Sequence, residues 1–444
     1  MAPTATTIPA RLLMWQRVRE YAVPLSMIET ATARRVAGDW AGACAAARVD
    51  VDLDLRAVRD RHGTELVTRL RADLRRLAPD LLRWHMPRIA PDGRLRPGLT
   101  VALSRYLSGG VQLVMRTPPT WAGAGQRMSL ALWEASGAAQ HPSRRFRLDL
   151  HRHLWDSSRY GELASRCGFS TTDVAGGSWA SDRWAAEAEL LFGSEERARG
   201  LFTVRLGARE RVVLELVAPD NHHVPTVRPL RDGLPPQEIA ALPVLPEAAA
   251  RVLPDLELLR AGLVAPDRLH PLISKALAVA GPVADSDRRP GDPHRVECRG
   301  EMHRIELRDG VLAAVDHDPE QLRREELLVA LGGPPLPCLR AIDAVLRDPE
   351  ALPAVRERLD HGDTTGAFDV LEGLLGPGAV LRDGPLREEL RLAADRRVDH
   401  GVFRSGLVSA TGVAGAGPLP RRPRPNRRVP VAQRLKRGRR IGLA

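Results

Sequence analysis

Seven prolines fall within residues 219 to 246, at positions 219, 225, 229, 235, 236, 243 and 246. Each lacks a backbone donor and fixes its own φ, so no long helix or central strand can run through this stretch. It therefore marks a boundary or stiff connector that divides the chain. At 444 residues there is room for two or three domains. The expected order is a helical N-terminal segment (1–92), a mixed α/β domain (93–218), the proline-rich connector (219–246), a helical domain carrying a β-hairpin at 295–317 (247–400), and a disordered Arg/Pro-rich tail (401–444). The fold class this implies is α+β, multidomain, with antiparallel hairpins.

Local signals support that order. Ser26-Met-Ile-Glu29 has the form of a capping box, Gly38 is a natural helix stop, and Asp39 caps a following short helix through Ala47. Leu66, Leu70, Leu74 and Leu77 share one face of a helix begun near Thr64 and limited by Pro79, with Arg69, Asp73 and Arg76 on its surface. Phe146, Leu148 and Leu150 alternate with charged residues as in a half-buried strand. Residues 201–206 and 211–217 flank Gly207-Ala-Arg as a hairpin, and 303–308 and 311–315 flank Asp309-Gly310 as another. Pro254 should kink or divide a helix over 247–263. A second connector is expected over 281–293. Asp318-Pro319-Glu320 opens a helix ended by Gly332-Gly333, and three more helical segments precede residue 400. Gly38-Asp-Trp-Ala-Gly-Ala43 and Gly362-Asp-Thr-Thr-Gly-Ala367 repeat one pattern, that of the tight turn in a tetratricopeptide-like helical hairpin; two distant copies make no solenoid.

Val18-Arg-Glu-Tyr-Ala-Val-Pro-Leu-Ser-Met-Ile-Glu29, Gly38-Asp-Trp and Leu77-Ala-Pro-Asp-Leu-Leu-Arg-Trp-His85 resemble an uncharacterised protein family of high-GC actinobacteria. The resemblance covers mainly the first hundred residues. It implies a bacterial cytosolic origin and brings with it no activity, cofactor or site residue.

Charge narrows the function. Only Lys275 and Lys436 are lysines among the 66 basic residues, and neither follows glycine, which excludes a P-loop. A kinase Val-Ala-Ile-Lys strand and a Gly-x-Ser-x-Gly elbow are also missing. Of the net +11, residues 411–444 carry +10, leaving +1 for residues 1–410. Those ten charges are Arg421, Arg422, Arg424, Arg427, Arg428, Arg434, Lys436, Arg437, Arg439 and Arg440, set among prolines that keep the segment extended and its guanidinium groups free for phosphates. With no aromatic residue in that arm, base stacking is not expected there.

Other candidate chemistry is thin. Asp149, His151 and His153 would project from one face of a strand, roughly 7 Å apart, and a His-x-His strand can offer two imidazoles to one metal. Arg145 and Arg147 precede them on that face, so a solvated edge-strand face is the plainer reading. His222-His223 point opposite ways on an extended chain. Cys167, beside Arg166, and Cys298, near His294 and His303, are the thiols a nucleophile would come from, yet no Cys-His signature surrounds either and buried small hydrophobes are the ordinary reading. The glycine-containing stretch 171–179 lacks dinucleotide-fingerprint spacing and reads as a connection. No cofactor is indicated. No run reaches the ~18 apolar residues of a membrane span, and Leu12-Leu13-Met14-Trp15 is too short for a signal peptide, which places the chain in the cytoplasm. The expectation is an interaction or scaffold protein, with a protein partner, whose basic arm contacts nucleic acid or another polyanion. The alternatives are an enzyme of unrecognised class with a cleft in the middle domain, bordered by the 145–153 face or by Asp173 and Arg183, and a nucleic-acid-associated regulator.

Overall fold

The computed structural model describes residues 8–405 except 108–109, 138–139, 168–177, 209, 218–223, 231–232, 278–294, 299–300, 309–310, 376–383 and most of 315–350. The ten basic residues of the C-terminal arm, the stretch 171–177 with Asp173, His222-His223, the connector at 281–293 and Gly332-Gly333 lie outside the described residues.

Helix α1 (Ala10–Arg17) runs on through a single π-helical turn, Val18–Ala22, into α2 (Leu25–Val36) and α3 (Trp40–Ala46). The expected capping box is not used. Pro24 already holds the extended geometry of a cap, so α2 starts at Leu25 without a side-chain cap and Ser26 falls inside the first turn. Gly38, at φ +80°, reverses the chain, and the Asp39 carboxylate accepts the Gly42 N–H at 2.8 Å. Strand β1 (Val49–Asp52) leads to α4 (Leu55–Arg76), whose helical geometry breaks at Gly63 (φ +86°), so its second half begins at Thr64 as its leucines require. Leu66, Leu70 and Leu74 are buried. Asp73, expected on the surface, is buried too: Ser104 Oγ (2.8 Å), Tyr106 OH (2.6 Å) and Arg152 donate to its carboxylate. A leucine stripe says which face of a helix is apolar and nothing of an acid that finds partners on another element.

After α5 (Pro79–His85) a small hairpin, β2 (Arg88–Ile89) with β3 (Arg94–Leu95), precedes β4 (Thr100–Tyr106), β5 (Val111–Arg116) and β6 (Met128–Glu134). The main sheet has the order β1-β6-β5-β4, with β1 parallel to β6 and the other pairs antiparallel. Its core gathers Met14, Leu70, Leu81, Leu103, Leu113 and Trp155 with Leu256, Leu258, Ile273 and Leu277 from the far side of the proline-rich stretch.

Residues 146–150 form no strand. The Leu148 N–H reaches the edge strand β4 at the Ala102 carbonyl (2.8 Å), but the His151 N–H then bonds back to the Leu148 carbonyl and the Leu154 N–H to that of His151, so the chain turns before a ladder forms. Beyond α6 (Glu162–Cys167), α7 (Trp184–Ser194) covers a second sheet of β7 (Leu201–Arg205), β8 (Arg211–Val217) and β9 (Thr226–Pro229). The β7–β8 hairpin is the expected one, with Leu201 opposite Glu215 and Arg205 opposite Arg211. β9 lies inside the proline-dense stretch, whose prolines at 225 and 229 bracket it at the sheet edge, where a missing donor costs nothing. Helix α8 (Pro236–Ala241) follows, Val244 bridges Thr203, and Leu245 is buried, so this stretch also completes the second sheet. Pro254 divides the next segment into α9 (Glu247–Ala250) and α10 (Pro254–Arg260), and α11 (Pro271–Ala276) closes on the main core.

Strands Arg295–Cys298, Glu301–Arg308 and Val311–Ala314 form a three-stranded antiparallel sheet, with Arg308 opposite Val311 across Asp309-Gly310 as expected. The Glu320 N–H donates to the Asp318 carboxylate at 3.2 Å, the cap anticipated there. The repeated Gly-Asp pattern is the same turn twice. Helices Ala351–Asp360 and Thr364–Leu375 reverse at Gly362 (φ +78°), the Gly366 N–H donates to Asp363, and Ala367, like Ala43, is fully buried. Arg48 ties this second hairpin down through the His361 carbonyl and the Asp363 carboxylate, both at 2.8 Å. A last helix, Pro385–Arg404, follows. No helix among the described residues is long and apolar enough to cross a membrane.

Candidate polyanion-binding groove

The Asp149, His151 and His153 trio does not converge. Arg147 holds the Asp149 carboxylate with two hydrogen bonds (2.8 and 2.7 Å) and Arg105 adds a third contact at 2.9 Å. His151 turns the other way and donates from Nε2 to Glu187 at 3.1 Å, while Arg166 grips the same carboxylate at 2.8 and 2.7 Å. Both histidines are buried, so the solvated edge-strand face is replaced by an internal ion network clamping this segment to α7. Burial lowers the basicity of both; although burial alone would raise Glu187, the hydrogen bonds from His151 and Arg166 hold its carboxyl well below the usual range. Among the described residues no three His, Cys, Asp or Glu side chains are placed to hold a metal ion.

The thiols are equally committed to structure. Burial pushes Cys167 up to about 11 and Cys44 up to about 12. Arg166, its sequence neighbour, is spent on Glu187; the guanidinium that reaches the Cys167 thiol belongs to Arg183 and is outweighed by desolvation. Cys298 sits in the first strand of the third sheet.

A different constellation emerges where segments flanking the main sheet and the second sheet meet. Arg96, just past β3, Arg144 and Arg145, after β6, and Arg205 and Arg211, the facing pair of the β7–β8 hairpin, line one groove of about 840 Å³. Ile89, Leu99, Phe146, Ile239 and Val244 supply its apolar wall, and no Asp or Glu lines it. Two of the five guanidinium groups are occupied: Arg144 donates to the Ala240 and Leu242 carbonyls, and Arg145 pairs with Glu247 at 2.6 Å. Among the described residues Arg96, Arg205 and Arg211 have no carboxylate partner. Arg96 leans on the Phe146 ring (5.4 Å from the centroid), with Arg145 also on that ring at 4.8 Å, and its buried Nε has no acceptor. Like charges directly opposite on paired strands repel. Partial burial first, then Arg211 and Arg145, lower the basicity of Arg205, as expected of a cation with only cations around it.

The near-neutral total for residues 1–410 conceals this groove because its arginines come from three separate stretches, and most of the other described arginines in the body pair with carboxylates. In the sequence, Arg145 stands out only as a neighbour of Asp149, His151 and His153. The one local signal in the sequence was the pair of arginines bracketing the 206–210 turn, which the hairpin register places opposite each other.

No protein-family model, curated protein or solved structure matches this chain.

Proposed function

We propose that the protein is an interaction module that binds the phosphate backbone of single-stranded nucleic acid, with the groove on the folded body as its principal seat and the basic arm at 421–440 as a second contact. The observation that carries this reading is the set of three guanidinium groups, Arg96, Arg205 and Arg211, that line an acid-free groove and have no carboxylate partner among the described residues. Buried or crowded cations without counter-charges are costly, and a ligand bearing phosphates relieves that cost while gaining charge-assisted hydrogen bonds. The apolar wall favours a single strand, whose bases are free to leave water, over a duplex that keeps them stacked inside.

Three phosphate contacts on a single strand correspond to a log–log salt slope of about −2.1, at roughly −0.7 per contact. Fluorescence anisotropy with an oligothymidylate should find that a chain ending at residue 405 keeps a slope near this value, and that Arg96→Gln/Arg205→Gln/Arg211→Gln in that chain abolishes binding. Relief of the Arg205–Arg211 repulsion should leave this variant no less stable, so lost binding cannot be charged to unfolding. Undiminished binding by the triple variant would refute the groove reading, and a truncated chain that fails to bind would return the whole affinity to the arm.

A further inference from the structure

A second cavity, of about 110 Å³, lies beneath α1 between the end of α5 and the α9–α10 junction. Met14, Val101, Leu148 and Leu253 make its wall apolar. Four nitrogens on its lining residues are buried and have no hydrogen-bond partner: Arg251 Nε, which still has the Glu247 carboxylate at 3.3 Å, His85 Nε2, with the Asp255 carboxylate no nearer than 4.0 Å, Trp15 Nε1 and Arg88 Nε. Native interiors satisfy such groups, and a charged one most of all.

Arg88 is the decisive member. Its two terminal nitrogens donate to the Gly93 and Arg83 carbonyls at 3.1 and 2.6 Å, and among the described residues no carboxylate meets it. Burial lowers its basicity to about 9, which leaves it charged at neutral pH. The other guanidinium groups on the lining are already paired, Arg11 with Glu257, Arg147 with Asp149 and Glu195, and Arg251 with Glu247. His85 is pushed down to about 3 by burial and is neutral, able to donate or accept at Nε2. Beside the paired Arg11, Arg147, Arg251 and Glu247, the cavity thus offers one uncompensated cation, two donors on Arg88 and Trp15, one adaptable imidazole, and an apolar wall.

We propose that this cavity binds a short-chain monocarboxylate, its oxygens on Arg88 Nε–H and Trp15 Nε1–H and its hydrocarbon tail against Met14 and Leu253. A cavity of ~150 Å³ holds benzene, so the guest has at most about six non-hydrogen atoms, the size of butanoate. This site is independent of the groove reading.

The test uses the full chain, dialysed into acid-free buffer, titrated calorimetrically with sodium butanoate, sodium octanoate and sodium chloride. Saturable one-to-one binding of butanoate, with octanoate excluded and chloride inert, is the expected result. Because Arg88→Gln leaves a hole in a buried network and can fail to fold, Trp15→Phe is the working variant: it keeps the ring, removes one donor, and should weaken butanoate at least fivefold. Chloride binding as well as butanoate would make this an inorganic-anion site and overturn the carboxylate assignment. Absence of butanoate binding, or equal binding by Trp15→Phe, would overturn the proposal altogether.

Discussion

The two copies of the Gly-Asp helical turn allow one substitution to be read in two surroundings. Gly38 and Gly362 adopt nearly the same left-handed conformation, φ +80° and +78°. Alanine pays about 1–2 kcal/mol to sit there in either copy. At Gly38 an added Cβ meets nothing within 4 Å, so Gly38→Ala should cost only that amount. At Gly362 the same atom would lie 2.5 Å from the Gly125 carbonyl oxygen and 3.3 Å from its carbon. Backbone cannot rotate away as a side chain can, and overpacking of this kind typically costs a further ~1–3 kcal/mol. Gly362→Ala should therefore lose about 2–5 kcal/mol, or release the hairpin from its Arg48 anchorage if that is the cheaper relief. Hydrogen exchange read by mass spectrometry separates the two sites: Gly362→Ala should raise exchange across 351–375 well beyond any change that Gly38→Ala produces across 25–46. Equal losses for the two variants would show that the approach to Gly125 carries no load and that the second hairpin is not seated where these contacts place it.

Acid should weaken the fold through His85. Its folded-state pKa of about 3 lies below the unfolded value of ~6.5, so the unfolded chain binds more protons between these limits, and stability falls as pH drops through that window by up to about 1.4 kcal/mol per unit for this one group. Urea titrations at several pH values should show a shallower pH dependence in His85→Gln; an unchanged slope would refute the assignment. Cys44 and Cys167, held as neutral thiols by burial, should resist iodoacetamide at pH 8 until denaturant is added, with site-by-site mass spectrometry as the readout. Rapid native labelling of either would mean that it is not buried as described.

What could be read from the sequence is what depends on neighbours along the chain. The Gly38-Asp39 and Gly362-Asp363 turns, the start of a helix at Thr64, the two hairpins and the division at Pro254 each follow from φ preferences or short-range capping, and each is present. The 146–150 alternation misled because period two is necessary for a strand but not sufficient: a ladder must continue along the neighbour, and here one bond to β4 is followed by a turn while Arg147 and Asp149 pair with each other. Asp73 misled for the same reason, since its partners Ser104, Tyr106 and Arg152 are 31 to 79 residues away. The groove was invisible as a site because charge totals average over a surface that folding sorts.

The extent of the main core sets the order in which the protein can be made. Met14 and Trp15 belong to the same core as Ile273 and Leu277, with the whole second sheet between them in the sequence. At ~5–20 residues per second, a ribosome needs about 13–50 s to travel between these positions. Through that interval the N-terminal helices, including the Trp15 and Trp84 faces, lack part of their cover, and the second sheet, whose core is drawn from residues 184–250, has all its strands before the first is sealed. The later-made sheet can thus close ahead of the earlier-made core, an inversion that exposes the N-terminal apolar surface to chaperones during synthesis.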